Sequence, residues 1–277
     1  MNPIFRFLQT DMTVPTRWGW FHLLSLGLAA VALLPALLLP KKSAEKRLKV
    51  VLGVYAFPTF VLETLKQLSW SYSWSEESGA CWDYQWYAAP FQLCTVPLFI
   101  CLVCFFLPKN KLRTVLLSCV AFISLLASTA VAILPDSCFT TDILVNIHTM
   151  YLHCGSLAVA FYLLLSGEIL PTFGNWRRGY AVFAGFAGAA LLMDVLIYLS
   201  PLLLNAEGER ETFNMFYISP YFPSTLPVLD RLWESLPYPV FLLCYFVAVA
   251  IGSLAVLGAA AGIAALARKR KETAKCN

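Results

Sequence analysis

Long apolar stretches alternate along the chain with short segments that gather most of its charge. Residues 18–40, 84–108, 114–135, 143–167 and 235–267 contain no Asp, Glu, Lys or Arg. Each reaches or exceeds the roughly 20 apolar residues that a helix needs to cross a bilayer. Pro237 and Pro239 put the start of the last helix just after them. Two further stretches, around 50–66 and 179–200, carry one acid each, Glu63 and Asp194. The pattern predicts seven helices, at about 18–40, 48–67, 89–108, 113–135, 143–167, 178–201 and 238–267. They form a single polytopic domain over 1–277, an all-α integral membrane fold. The first run is too long for a signal-peptide core and reads as a retained first helix. No internal repeat or inverted half is visible.

Composition narrows the class. Of the 277 residues 59% are hydrophobic and 13% charged, against roughly 45–50% and about 25% in an ordinary soluble domain. That excludes a soluble enzyme, a disordered chain and a nucleic-acid module. The net charge of +4 matters less than where the charges sit. With the N-terminus outside, segments 41–49, 108–113, 168–178 and 268–277 face the cytoplasm and hold 15 of the 20 basic residues. The outward segments hold 11 of the 16 acids. Basic residues therefore alternate at every crossing, and dropping either weaker helix would break the alternation. The expected arrangement is a seven-transmembrane-helix bundle, N-terminus outside and C-terminus cytoplasmic. Trp70, Tyr72, Trp74, Trp82, Tyr84, Trp86 and Tyr87 form an interfacial belt, so 67–88 reads as a lid at the outer surface. The proline-rich 212–240 reads the same way.

Polar residues inside a bilayer are costly and mark partners or function. Glu63 with Lys66 and Gln67, then Gln92 and Cys94, then Asn146, His148 and His153, and finally Asp194 all fall toward the outer ends of their helices. Bland readings stand beside the functional ones. Glu63 and Lys66, three apart, would pair and snorkel; His148 reads as a helix-packing histidine; Asp194 reads as a structural pair or cap. Most of the nine cysteines read as small hydrophobic packing residues. Cys81 and Cys138 fall in outward segments and would form a disulfide in an oxidising compartment. The three histidines and the Cys101/Cys104 pair make no metal signature.

Cys94 has a distinctive setting. Pro90 suits the first turn of the third helix, which puts Cys94 near a helix N-terminus, where the dipole favours a thiolate. Pro97 cannot donate to the Leu93 carbonyl, which leaves an irregular turn beside the thiol. His153, at similar depth, is a proton acceptor, and Asn146, seven residues earlier on roughly the same face, would orient it.

These features alone do not select Cys94 from its eight rivals. The segments Pro90-Phe91-Gln92-Leu93-Cys94 and Tyr151-Leu152-His153-Cys154-Gly155, followed by Asn214-Met215 in a proline-rich loop, do. In order and spacing they resemble the YwaF / transmembrane protein 164 family, from about the second helix to the seventh. The resemblance implies a Cys–His acyltransferase moving a fatty acyl group from a phospholipid to a lysophospholipid, ether-linked in the vertebrate branch. Cys94 matches the family's nucleophile, His153 its histidine and Asn214 its loop asparagine. Gln92 stands where bacterial members often carry a histidine, and Cys154 separates His153 from Gly155.

The expected mechanism is ping-pong transfer through a Cys94 thioester, with Gln92, Asn214 or N–H groups at the helix start as oxyanion donors. It needs no cofactor; the partners are membrane phospholipids and lysophospholipids, in a bacterial plasma membrane or an internal membrane such as the endoplasmic reticulum. The rivals are a lipid esterase at the same site, a non-enzymatic seven-helix receptor or carrier with Glu63 or Asp194 as counter-ion, and a structural membrane protein.

Overall fold

Helix follows helix along the chain, joined by short turns except at two places. The computed structural model describes residues 8–38, 44–75, 79–205 and 208–276. Lys41, Lys42, Glu76, Glu77 and Glu207, part of the flanking-charge pattern, lie outside the described residues. The helices are α1 (Trp20–Leu38), α2 (Ala44–Ser71), α3 (Val96–Phe106), α4 (Lys111–Ile133), α5 (Ile143–Leu165), α6 (Phe173–Leu199), the short α7 (Leu229–Ser235) and α8 (Tyr238–Cys276). Of these, α2, α4, α5, α6 and α8 are long and apolar enough to cross a membrane; α1 and α3 are shorter apolar helices. The architecture is that of an all-α, multi-pass membrane protein.

The helix starts are read directly from side chains. Asn110 caps α4 by accepting from Arg113 N at 2.9 Å, Asp142 caps α5 from Val145 N at 3.1 Å, and Thr172 caps α6 from Asn175 N at 3.3 Å. Pro58 lies inside α2 and leaves the Val54 carbonyl without its helical donor. Tyr151 of α5 supplies one instead, its hydroxyl 2.6 Å from Val54 O. The α2–α5 seam is thus fixed by a proline on one helix and a tyrosine on the other. It is close because Gly155 has no side chain: a Cβ there would come within 2.7 Å of the Tyr55 ring.

The core gathers around α4. Its central turn, Val120–Ser124, is a buried π turn, and Phe122 is completely enclosed. Helix α4 packs against α3, α5, α6 and α8. Gly179 of α6 allows the tightest approach, since a Cβ there would sit 2.6 Å from the Ser118 carbonyl group. Over its apolar span α4 is 61% buried, against 22% for α6 and 17% for α8. The last two therefore present most of their apolar surface to lipid.

Helix α3 corrects an expectation. It starts at Val96, not near residue 89, and Pro97 rather than Pro90 occupies its first turn, where no N–H is needed. Residues 90–95 form a turn held by Thr95, whose Oγ1 accepts from Gln92 N at 3.0 Å and lies 3.2 Å from Pro90 O.

The segment after α2 forms a small antiparallel hairpin, β1 (Tyr72–Ser75) with β2 (Gly79–Trp82), in register Tyr72↔Trp82. Trp74 and Trp82 on it are exposed, as an interfacial rim requires. The expected Cys81–Cys138 disulfide is not formed. Cys81 stands exposed on β2, Cys138 is partly buried in the 136–138 turn, and both thiols are free. The second long connection, between α6 and α7, turns inward: Phe213, Met215, Phe216 and Ile218 are all fully buried. It is a plug in the bundle rather than a lid over it.

Candidate functional site

The polar residues picked out along the chain meet at one end of the bundle, where α2 and α6 end and α3 and α5 begin. They form two separate groups. In the first, Glu63 of α2 is the hub. Its Oε1 lies 2.8 Å from Lys66 Nζ and accepts from Gln67 Nε2 at 2.8 Å, while its Oε2 lies 2.7 Å from His148 Nε2 on α5. Gln67 Nε2 also donates to Ala88 O at 2.6 Å. Glu63 and Lys66 do pair, yet Lys66 is only 9% exposed and packs near the Trp70 ring, so it does not snorkel. His148 is a partner of Glu63, not a bland packing residue.

The second group holds the plug. Asp194 Oδ1 accepts from Met215 N at 2.7 Å. Gln92 reaches across with both ends of its amide, Nε2 to Asn214 O at 3.0 Å and Oε1 from Phe216 N at 2.9 Å. The Asn214 side chain closes the loop on itself: Oδ1 accepts from Ser219 N at 2.9 Å, and Nδ2 donates to Phe222 O at 3.3 Å and Pro223 O at 2.9 Å. Irregular backbone inside a membrane bundle must find such partners. Asn214 and Gln92 are therefore corrected from oxyanion donors to loop clamps, because their amides are already engaged. Asn146 is corrected too. It exchanges two bonds with Thr140, accepting from its N at 2.9 Å and donating to its O at 2.8 Å, and so pins the turn before α5 instead of orienting His153.

Cys94 lies between the two groups, in the turn immediately before the α3 N-cap Thr95. Lys66 and Glu63 of the first group stand within electrostatic reach of its thiol. So does Tyr217, which the plug delivers from the other side. Phe216 and Tyr217 both have left-handed backbone, φ 58° and 59°, although neither is glycine. Such strain costs about 1–3 kcal/mol per residue and persists only where surroundings impose it. Among the described residues the N–H groups of Leu93 and Cys94 donate to no backbone carbonyl, and that of Cys94 bears on its own thiol. His153 is buried on α5, within electrostatic reach of His148. Its ring makes no hydrogen bond among the described residues, and none joins it to Cys94. The third histidine, His22, is structural: it accepts from Trp18 N at 3.1 Å and lies 3.1 Å from Ala132 O. No group of three or more His, Cys, Asp or Glu suited to a metal occurs among the described residues.

Residues 17–257, from just before α1 to well inside α8, match the model of the TMEM164 family. The chain belongs to the TMEM164 family. No curated protein and no solved structure matches it. For this TMEM164 chain the segments that carried the resemblance lie in the turn before α3, with Gln92 and Cys94, and on the α2–α5 seam, with Tyr151 to Gly155. Tyr55 and Tyr217, both within electrostatic reach of Cys94, are site residues that sequence reasoning missed. The Asn214-Met215 pair pointed to the loop of Tyr217, but nothing local marks a tyrosine three residues after Asn214 as lying within reach of Cys94.

Proposed function

We propose that the protein is a lipid acyltransferase that works through a Cys94 thioester, carried on a seven-span bundle with its N-terminus outside and C-terminus cytoplasmic. The observation behind this reading is the placement of Cys94. Its thiol sits in the turn just before a helix, beside the N–H of Leu93, which donates to no backbone carbonyl among the described residues, and within electrostatic reach of a buried charged cluster and of a strained loop.

His153 takes the thiol proton of Cys94, and the thiolate attacks the ester carbonyl carbon of a membrane phospholipid. The oxyanion is held by N–H groups of the turn before α3, that of Leu93 among them. The ester C–O bond breaks, the acyl group stays on sulfur, and His153 returns the proton to the departing lysolipid oxygen. A lysophospholipid hydroxyl then gives its proton to His153 and attacks the thioester. The C–S bond breaks, and the proton returns to Cys94. Catalytic hydrogen bonds are commonly longer before substrate binds, and His153 closes on Cys94 in the lipid complex. Glu63, held by Lys66 and His148, keeps this region electrostatically ordered, and Tyr217 lies within electrostatic reach of the reacting sulfur.

The test uses detergent-purified wild type and Cys94→Ala, both eluting as monodisperse protein. Each is incubated with isotope-labelled diacyl phospholipid and a panel of lysophospholipids, and the lipids are read by mass spectrometry. Label on an acceptor with wild type alone is the expected result. Label released only as free fatty acid makes the protein an esterase. A second reading, a receptor or carrier, draws on Asp194 Oδ2, which is buried without a hydrogen-bond partner among the described residues and would serve as a counter-ion. It predicts untouched lipids with both proteins.

A further inference from the structure

On the α2–α5 seam two buried hydroxyls are left without hydrogen-bond partners among the described residues, that of Tyr55 on α2 and that of Ser156 on α5. The two residues are 3% and 1% exposed. Ser156 bears on the Tyr55 phenol, and the Cys94 and Cys101 thiols stand within electrostatic reach of it. Burying a hydroxyl without a partner destabilises a protein.

Neighbouring residues avoid that cost. Tyr151, on the same seam, donates to Val54 O at 2.6 Å. Ser118 and Thr129 of α4 and Ser253 of α8 turn back on the carbonyl four residues earlier, each at 2.7 Å. The Leu152 carbonyl offers Ser156 the same bond, and Ser156 does not take it. Ser156 lies three residues after His153, one turn along the same face of α5. Gly155 between them lets the Tyr55 ring lie against this stretch. Two hydroxyls thus come together near Cys94 and His153 with their hydrogen-bonding capacity unused.

An ester substrate brings what they lack. Its carbonyl oxygen accepts hydrogen bonds and donates none, while each hydroxyl has one proton to donate. When the Cys94 thiolate forms the C–S bond, the carbonyl π pair moves onto that oxygen and its charge grows. Donors fixed in a site that excludes water stabilise the charged oxygen more than the neutral ester. The pair returns as the C–O bond to the lysolipid breaks, and the carbonyl re-forms in the thioester.

We infer that the Tyr55 and Ser156 hydroxyls bind the carbonyl oxygen of the acyl ester attacked by Cys94, alongside the Leu93 N–H. The inference rests on the reading of Cys94 as an acylated nucleophile, whether the acyl group ends on a lipid or on water.

The test acylates full-length wild type, Tyr55→Phe and Ser156→Ala in detergent with a fatty acid p-nitrophenyl ester, isotope-labelled at the carbonyl carbon. The thioester carbonyl stretch is read by isotope-edited infrared spectroscopy, with Cys94→Ala as background. Both variants are expected to raise the stretching frequency, because a hydrogen bond to the carbonyl is lost. Tyr55→Phe lowers kcat on phospholipid about a hundredfold with KM unchanged, the signature of a donor to the oxyanion. Its denaturation midpoint does not fall, since the free protein loses no hydrogen bond, whereas that of Tyr151→Phe does. An unchanged stretch and an unchanged kcat in an acylated Tyr55→Phe overturn the inference and leave the acyltransferase reading standing. A lowered midpoint with normal kcat also overturns it, since the hydroxyl then serves the fold. Wild type that takes no label on Cys94 overturns the acyltransferase reading, and this inference with it.

Discussion

The two polar groups at the Cys94 end of the bundle look alike along the chain and differ in what their side chains hold. Glu63, Lys66 and His148 bind one another, side chain to side chain, across α2 and α5. Gln92, Asp194 and Asn214 bind backbone, and their targets are the N–H and C=O groups of one non-helical loop. The difference is physical. A helix satisfies its own backbone, so polar side chains on neighbouring helices are free to pair with each other. A loop turned into the bundle leaves backbone groups that only side chains can satisfy. A costly polar residue in a membrane helix therefore reports either on chemistry or on a nearby break in regular structure. Cys94 stands where the two meet.

The largest effect that separates the groups is expected at Glu63. Glu63→Ala leaves Lys66 and His148 buried without their acid and destabilises the fold by about 3–5 kcal/mol, read as a lower midpoint in chemical denaturation. A wild-type midpoint would show that the first cluster does not hold α2 to α5. Asp194→Ala comes next. It strands the Met215 N–H and costs about 1–3 kcal/mol, with faster hydrogen exchange confined to 213–219. Asp194→Asn keeps an acceptor and is expected to lose less; equal loss in both variants would mean that the charge, not the hydrogen bond, matters. Tyr151→Phe removes the donor that satisfies the Val54 carbonyl beside Pro58. An expected cost of about 1 kcal/mol would appear in the same denaturation series. An unchanged midpoint would mean that another donor reaches that carbonyl.

The smallest effect lies outside the membrane, at the exposed contact between Arg17 and Asp136. The Arg17 guanidinium holds the Asp136 carboxyl below the usual carboxylate range. The contribution is present above the unfolded aspartate value of about 3.9 and is lost as pH falls through the lowered value. Arg17→Ala should therefore leave stability nearly unchanged at neutral pH and flatten its fall below about pH 4, seen in parallel acid-denaturation curves.

Much of the bundle is legible in the residues themselves. The ends of α1 and α5 fall close to the charge-free runs 18–40 and 143–167 because charges flank apolar helices for solvation reasons that act locally. The start of α3 was misplaced because Pro90 and Pro97 are equally good first-turn residues in isolation. Thr95 decides between them by gathering 90–95 into a turn. The catalytic expectation was legible only as resemblance, since no local signal separates Cys94 from the other eight cysteines. Tyr217 was hidden because it comes within electrostatic reach of Cys94 on a loop whose backbone takes a conformation that non-glycine residues rarely adopt.

From the sequence alone follow the apolar lengths, the flanking charges, the family and the set of polar residues worth questioning. Each depends on transfer of a segment from water to lipid, or on motif order, and both are properties of the chain read in one dimension. The tertiary structure alone decided that Asn146 serves Thr140 and not His153, that Asn214 and Gln92 clamp a plug, and that the Tyr55 and Ser156 hydroxyls lie buried on the α2–α5 seam without partners among the described residues. Those outcomes depend on ångström-scale distances between segments far apart in the chain. Helix crossings, set by contacts such as Gly155 against Tyr55 and Gly179 against Ser118, determine which side chains come within reach of one another.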